Sequence, residues 1–268
     1  MNNPRKKTDK ILKNIKKDIV KEHGKMYSSI KKDILSVFNN LQITEDMPIE
    51  KKMSLVNKDK VLDKLCDKIS KDLAKANKSS IDIINDNKTN IYLLNYNDVA
   101  KDLNVALKDK INIDNIYYNP YNLLAEKDLL DNVSLSRKVK SEIVSSLLSN
   151  ENQSQTLKRI KELEQKQVNR LAVISNGETT VVENKAIFDA GETAQKKKRN
   201  IWKRWVSVHD NRTRPFHAYA DQKEVPLNDY FYINGEHLMF PGDCSLGATA
   251  KNTANCRCRI ELFEKVSD

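Results

Sequence analysis

The chain reads as an α+β protein: a mainly helical N-terminal body, then a further helical segment, then a small irregular β-containing C-terminal module. Three observations predict this. Apolar residues recur at helical spacing as far as Val173, glycine and proline number only six each, and β-preferring runs separated by turn dipeptides begin only at Trp202. With so few breakers, long helices are favoured and a strand-rich sandwich is not.

The elements follow in order. Ile11, Ile15 and Ile19 recur every fourth residue with lysines between them, and Ile30, Ile34 and Phe38 do so after an expected break at Gly24. This is the pattern of amphipathic helices that dock on other helices. Leu62, Leu65, Ile69 and Leu73 continue the period, followed by 91–106 and 139–148, with breaks expected at Met47-Pro48, over 85–90 and at Asn119-Pro120. Cys66, on the helix between Leu62 and Ile69, reads as a small core residue. The next helix runs from Ser154 through Leu157, Ile160 and Leu163 to Val173, with Ser154 to Thr156 supplying its cap. Strands are then expected over 202–208, 231–233, 237–240 and 257–263. Asn234-Gly235 is a type I′ hairpin turn, since both central positions of that turn need positive φ, and Pro241-Gly242-Asp243 marks the next turn.

Composition, at 39% apolar and 31% charged residues, is that of a globular protein with a heavily charged surface. The polar start is followed by no apolar signal region, and no apolar run is long enough to span a bilayer. Four cysteines, with Cys66 isolated from Cys244, Cys256 and Cys258, do not make a secreted disulfide framework, and a reduced intracellular setting is expected. The net charge of +10 comes mostly from the start: residues 1–32 hold eleven Lys or Arg against Asp9, Asp18 and Glu22. Arg5, Lys6, Lys7, Lys10, Lys13, Lys16 and Lys17 are therefore the candidate nucleic-acid-binding residues. A solvated helix face is the plainer alternative. The arm lacks the Trp and Phe of a membrane anchor, and it has no aromatic interleaving or recognition-helix pattern for reading bases.

Chemistry-bearing residues concentrate between Lys203 and Val225. As a catalytic set, His209-Asp210 is an acid–base pair, and His217 with Asn255 fits a metal-dependent His/Asn nuclease. Yet no nucleophile elbow or glycine-rich phosphate loop accompanies them, and no enzymatic activity is expected. As a metal set, Cys256 and Cys258 sit two apart, which on a strand turns both sulfurs to one face. His217, His237 or Cys244 can complete a tetrahedron, so His217, Cys244, Cys256 and Cys258 are the candidate structural-zinc ligands, with buried reduced thiols as the alternative. No other cofactor is expected. As architecture, Arg212 and Arg214 beside Asp210 and Asp221 can tie loops by bidentate charge-assisted bonds, and Trp202 and Trp205 can anchor the module to the helical body.

The order W-x-S-x-x-D-x-R-T-R-x-x-H, met as Trp205, Ser207, Asp210, Arg212, Thr213, Arg214 and His217, continues through Val225, Phe231, Gly235, Leu238 and Pro241-Gly242-Asp243 to Asn255-Cys256-Arg257-Cys258. This resembles the C-terminal domain of phage Mu F-like minor head proteins, the head morphogenesis family. Upstream, the segment 170–178 and Asn184-Lys185-Ala186 resemble that family's helix before the tryptophan, so the likeness spans about 128–262. The chain departs from the pattern in having Gly177 where threonine is usual and Gln222 where glycine is usual. Periodicity and charge make 1–127 a helical N-terminal region with a basic start, and the resemblance makes 128–268 a head morphogenesis domain. It makes Trp205, Asp210, Arg212, Arg214, His217, Pro241, Gly242, Asp243 and Asn255 a structural signature, not a catalytic one. It also implies a structural minor capsid protein inside the virion, assembled in the host cytoplasm. Its partners would be the portal protein and inner capsid shell, with non-specific contact to packaged DNA and no membrane. Head assembly, DNA packaging or genome delivery would be its task; a metal-dependent nuclease and a free-standing DNA-binding protein are the alternatives.

Overall fold

The structure, a computed structural model, describes residues 4–44, 46–58, 60–110, 132–149 and 151–265. The elements are α1 (Pro4–Leu41), α2 (Ile49–Lys58), α3 (Val61–Asp102), α4 (Asn132–Leu148), α5 (Gln153–Gln195), β1 (Ile201–Val206), α6 (Pro215–Tyr219), β2 (Glu224–Pro226), β3 (Phe231–Ile233), β4 (Glu236–Leu238), α7 (Ala250–Thr253) and β5 (Arg259–Glu264). The class is α+β, as expected. The break at Asn119-Pro120 and the boundary between 127 and 128 lie outside the described residues.

Four expected breaks or ends fall differently, each for a local reason. Helix α1 runs straight through Gly24. Ile15, Ile19, His23, Met26, Ile30, Ile34, Phe38 and Leu41 form one uninterrupted buried stripe at spacings of three and four, so His23 holds the register where the apolar pattern lapses. Helix α3 likewise continues through 85–90, where buried Ile84, Lys88 and Ile91 keep the period. It stops at Asp102, short of 106, because Asn104 turns left-handed (φ 48°) and the Val105 N–H donates to the Ala100 carbonyl at 2.8 Å.

Helix α5 extends far beyond Val173. Its later turns bury Ser175, Glu178, Thr179, Thr180, Glu183 and Asn184, so the inward face there is polar and invisible to a search for apolar period. Glu178 pairs with Lys88 of α3 at 2.8 Å in a dry setting. Its cap is Asn152, not Ser154 to Thr156: the Gln155 N–H donates to Asn152 Oδ1 at 3.0 Å, and the Asn152 N–H donates to Gln155 Oε1 at 2.9 Å. These reciprocal bonds make a capping box.

Contacts divide the chain into two units, one of Met1–Ile15, Ile84–Leu123 and Val173–Asp268, the other of Lys16–Ile83 and Leu124–Ala172. The second is helical among its described residues. Its core takes Ile30, Ile34 and Phe38 from α1, Leu65, Ile69 and Leu73 from α3, Val139 and Ile143 from α4, and Leu157 and Ile160 from α5.

In the first unit, the Tyr92 hydroxyl of α3 donates to Asp189 Oδ2 at 2.6 Å, and Tyr96 and Thr193 hydroxyls meet at 3.1 Å, joining α3 to α5. An antiparallel sheet of order β2-β1-β5 completes it, with Trp205 opposite Ile260 and Lys203 opposite both Val225 and Leu262. Strand β2 was not foreseen, and the ends of β1, β4 and β5 shift by one or two residues. Helix α5 comes so close to the sheet that a Cβ on Gly191 would stand 2.8 Å from Leu262 Cδ1. The hairpin β3–β4 turns through Asn234 (φ 49°) and Gly235 (φ 83°), the expected type I′ pair. Among the described residues, no helix is long and apolar enough to cross a membrane.

Candidate metal centre

The site forms where the loop after β1, helix α6 and the segment entering β5 meet. The Ser207 N–H donates to Asp221 Oδ1 at 2.7 Å and its hydroxyl donates to the His217 carbonyl at 2.6 Å, closing the loop at its base. Asp210 organises the tip. Its Oδ1 accepts from the Arg212 N–H at 3.0 Å and from the Thr213 hydroxyl at 3.2 Å, a side chain doing the work of a backbone turn. Pro215 then starts α6, its fixed φ suited to a first helical turn. His217 on this helix points inward and is 1% exposed.

From the other side, Asn255 turns left-handed (φ 54°) and leads into Cys256-Arg257-Cys258. Extended backbone sends alternate side chains to opposite faces. Accordingly both cysteines are buried, while Arg257 turns to Asp210 and grips it with two bonds of 2.6 Å. This bidentate pair holds the Asp210 carboxyl far below the usual carboxylate range, helped by the Arg212 N–H and Thr213.

On the buried face, His217 Nδ1 lies 3.6 Å from Cys256 Sγ and 3.6 Å from Cys258 Sγ, and the three donor atoms fall within 4.8 Å of one another. Ser207 Oγ is 3.8 Å from Cys258 Sγ. Trp205 and Phe216 meet the imidazole edge-on at 5.3 and 5.1 Å, walling it from solvent, and His217 Nε2 has no hydrogen-bond partner among the described residues. The two thiols share their acidity unequally. Cys258 is driven toward thiolate by its hydrogen bond with Cys256 and then by His217, whereas that same bond and burial hold the proton on Cys256.

Of the four expected zinc ligands, the structure brings together His217, Cys256 and Cys258. Cys244 stays outside the cluster, half-buried, its thiol pushed up to about 11 by burial and then by Asp243. His237 is exposed and meets the rings of Tyr230 and Tyr232. The loop ties also differ from expectation. Arg212 is 75% exposed and only 3.8 Å from Asp210, Arg214 donates to the Ala254 carbonyl, and Asp221 serves Ser207 and His209. Trp205 is fully buried against His217 and Phe231, whereas Trp202 is partly exposed, with Lys265 Nζ 3.8 Å above its ring.

In the Pro241-Gly242-Asp243 turn, Asp243 accepts from the Met239 and Ser245 N–H groups, both at 2.9 Å. Gly242 has φ 86°, and a Cβ there would stand 2.6 Å from Val181 Cγ2 of α5, so only glycine fits. Asn184 of α5, noted in the sequence only as part of the family-like helix, is a hub whose bonding role was not foreseen. Its Nδ2 donates to the carbonyls of Pro241 at 3.1 Å and Cys258 at 3.0 Å, and its Oδ1 accepts from the Ile260 N–H at 2.9 Å. The available signal was an asparagine inside a helix, where its amide needs a partner beyond the helix's own backbone.

At the other end of the chain, Lys6, Lys7, Lys10, Lys13, Lys16 and Lys17 are all exposed on α1; the Arg5 side chain lies outside the described residues. Lys6, Lys10, Lys13 and Lys17 follow the helical repeat along one face, opposite buried Thr8, Ile15 and Ile19.

The fold and site define an α+β module, tied internally by an Asp–Arg pair and a His–Cys–Cys cluster and fastened to a long helix through Asn184 and a Pro-Gly-Asp turn. Residues 137–261 match the family described as Phage Mu protein F like protein. The chain is 26% identical over 263 residues to minor head protein GP7 of Bacillus phage SPP1, a match covering 94% of this chain and 84% of that one. It is also 28% identical over 137 residues to NAD(+)--arginine ADP-ribosyltransferase EFV of Enterococcus faecalis (strain ATCC 700802 / V583), covering 50% of this chain and 27% of that protein. No solved structure matches the chain.

Proposed function

We propose that the chain is a structural minor head protein of a tailed phage or prophage, acting in head assembly, DNA packaging or genome delivery inside the capsid. The observation that carries this reading is the likeness to a minor head protein over 94% of the chain, which takes in the helical N-terminal half as well as the C-terminal domain. The site supports it too. Asp210, Arg257 and His217 are spent on internal contacts, and a histidine 1% exposed behind Trp205 and Phe216 has no route to a phosphodiester, which argues against the His/Asn nuclease.

In this reading residues 128–268 form the domain that docks on the portal protein or inner shell, and residues 1–127 form the basic-headed helical region. Tyr219, Tyr230 and Tyr232, exposed at 79%, 51% and 62%, supply docking anchors of the kind interfaces favour. The lysine face of α1 contacts packaged DNA without sequence preference. The test is quantitative mass spectrometry of purified empty heads and DNA-filled virions, scaled to portal and major capsid subunits. A low copy number that tracks the portal in both particles is expected. Absence from both particles would overturn the reading.

A further inference from the structure

We propose that His217, Cys256 and Cys258 form a structural zinc site that fastens helix α6 to the segment entering β5. The separations carry the argument. Zinc holds sulfur at about 2.3 Å and imidazole nitrogen at about 2.0–2.1 Å, and a tetrahedral angle then sets sulfur and nitrogen about 3.6 Å apart. Both Cys256 Sγ and Cys258 Sγ stand 3.6 Å from His217 Nδ1. A ring nitrogen is donor or acceptor to one partner at a time, so hydrogen bonding leaves one of these two contacts unsatisfied. A cation at the centre of the three atoms serves them all.

The donor set selects the ion. Two thiolates and an imidazole favour zinc over magnesium or calcium, which prefer oxygen. The three ligands are 1%, 2% and 3% exposed, so the ion would sit shielded from bulk solvent. On binding, each thiol that still holds its proton gives it up to solvent as its sulfur–metal bond forms. The fourth position is open to Ser207 Oγ, 3.8 Å from Cys258 Sγ, or to a water. The tripeptide 256–258 then holds two consecutive elements from its two faces, helix α6 through the metal and the loop before it through Arg257–Asp210.

The site is independent of the head-protein reading, and its test uses the full-length chain alone. Protein produced with added zinc and freed of loose metal should carry about one zinc per chain. Cys66→Ser and Cys244→Ser should retain it, and the Cys256→Ser/Cys258→Ser double variant should lose it. Because that variant can lose its fold along with its metal, the wild-type protein provides a second readout. X-ray absorption at the zinc edge should show two sulfur neighbours beside nitrogen or oxygen, and cobalt added to zinc-free protein should give a thiolate charge-transfer band. Wild-type protein that takes up no stoichiometric zinc, zinc retained by the double variant, or a zinc spectrum without sulfur overturns the proposal.

Discussion

Arg257 and Arg212 carry the same charge within reach of the same carboxylate, and the structure gives them unequal weight. Arg257 makes two 2.6 Å bonds to Asp210 at 24% side-chain exposure; Arg212 reaches only 3.8 Å at 75%. Arg257→Ala should lower the melting temperature by several degrees, whereas Arg212→Ala should stay within about two degrees of wild type. Equal effects of the two changes in a thermal melt would refute this ranking. The aspartate's folded pKa lies below its unfolded value, so the pair's stabilisation is present above that value and disappears as pH falls through the acid range. Lys203 differs in that its burial costs stability. It is fully buried with Nζ 5.0 and 5.4 Å from the ring centres of Phe188 and Phe231, and burial pulls its pKa down to about 7, partly offset by Asp243 and Asp229. Between that value and the ordinary 10.5 the unfolded chain holds a proton that the folded chain does not, so stability should rise with pH by about 1.4 kcal/mol per unit across that window. Melting wild type and Lys203→Met side by side from pH 7 to 10 checks it: the extra slope should vanish in the variant.

Helices α1 and α5 show what was legible in the residues and what was not. Apolar period located the second unit's core well: Ile30, Ile34, Leu65, Ile69, Leu73 and Ile160 all lie in it. The same criterion broke α1 at Gly24, since a histidine on the buried stripe scores as polar, and ended α5 at Val173, since the face beyond it buries threonine, glutamate and asparagine. In the site, the strand-like spacing of Cys256 and Cys258 forecast their shared face. The choice of Arg257 over Arg212 for Asp210 depends on chain reversal between distant segments, which spacing does not encode. Two substitutions test these helices. Gly24 is exposed with nothing within 4 Å of a Cβ, so Gly24→Ala should stabilise by about 0.5–1 kcal/mol in denaturant unfolding. No gain would mean that α1 is not helical there. Asn184→Ala leaves two carbonyls and the Ile260 N–H without their side-chain partner in a dry site, and should cost upwards of about 2 kcal/mol. A smaller loss in the same experiment would remove Asn184 from its place as the hub.

For the molecule as a whole, charge is the property most unevenly distributed. Of the net +10, residues 1–32 hold a surplus of eight, and the rest of the chain is close to balance. Along α1, Lys6, Lys10, Lys13 and Lys17 recur at helical spacing; Asp18 lies on another face, while Asp9 borders the row, three residues after Lys6 and four before Lys13. A cation row on a rigid helix meets phosphates by displacing condensed counterions, so its signature is the salt dependence of binding more than its strength. Each phosphate neutralised contributes about −0.9 to the slope of log K against log salt. Full-length protein titrated into random-sequence duplex DNA, followed by fluorescence anisotropy at several salt concentrations, should therefore give a slope of about −3.6 to −6.3 as four to seven cations engage. Reversing Lys6, Lys10, Lys13 and Lys17 to glutamate leaves the buried stripe untouched and keeps good helix formers, so circular dichroism should be unchanged while the slope collapses toward zero. If the slope survives the reversal, DNA is held elsewhere on the chain. If wild type shows no slope at all, the lysine face is a solvated surface.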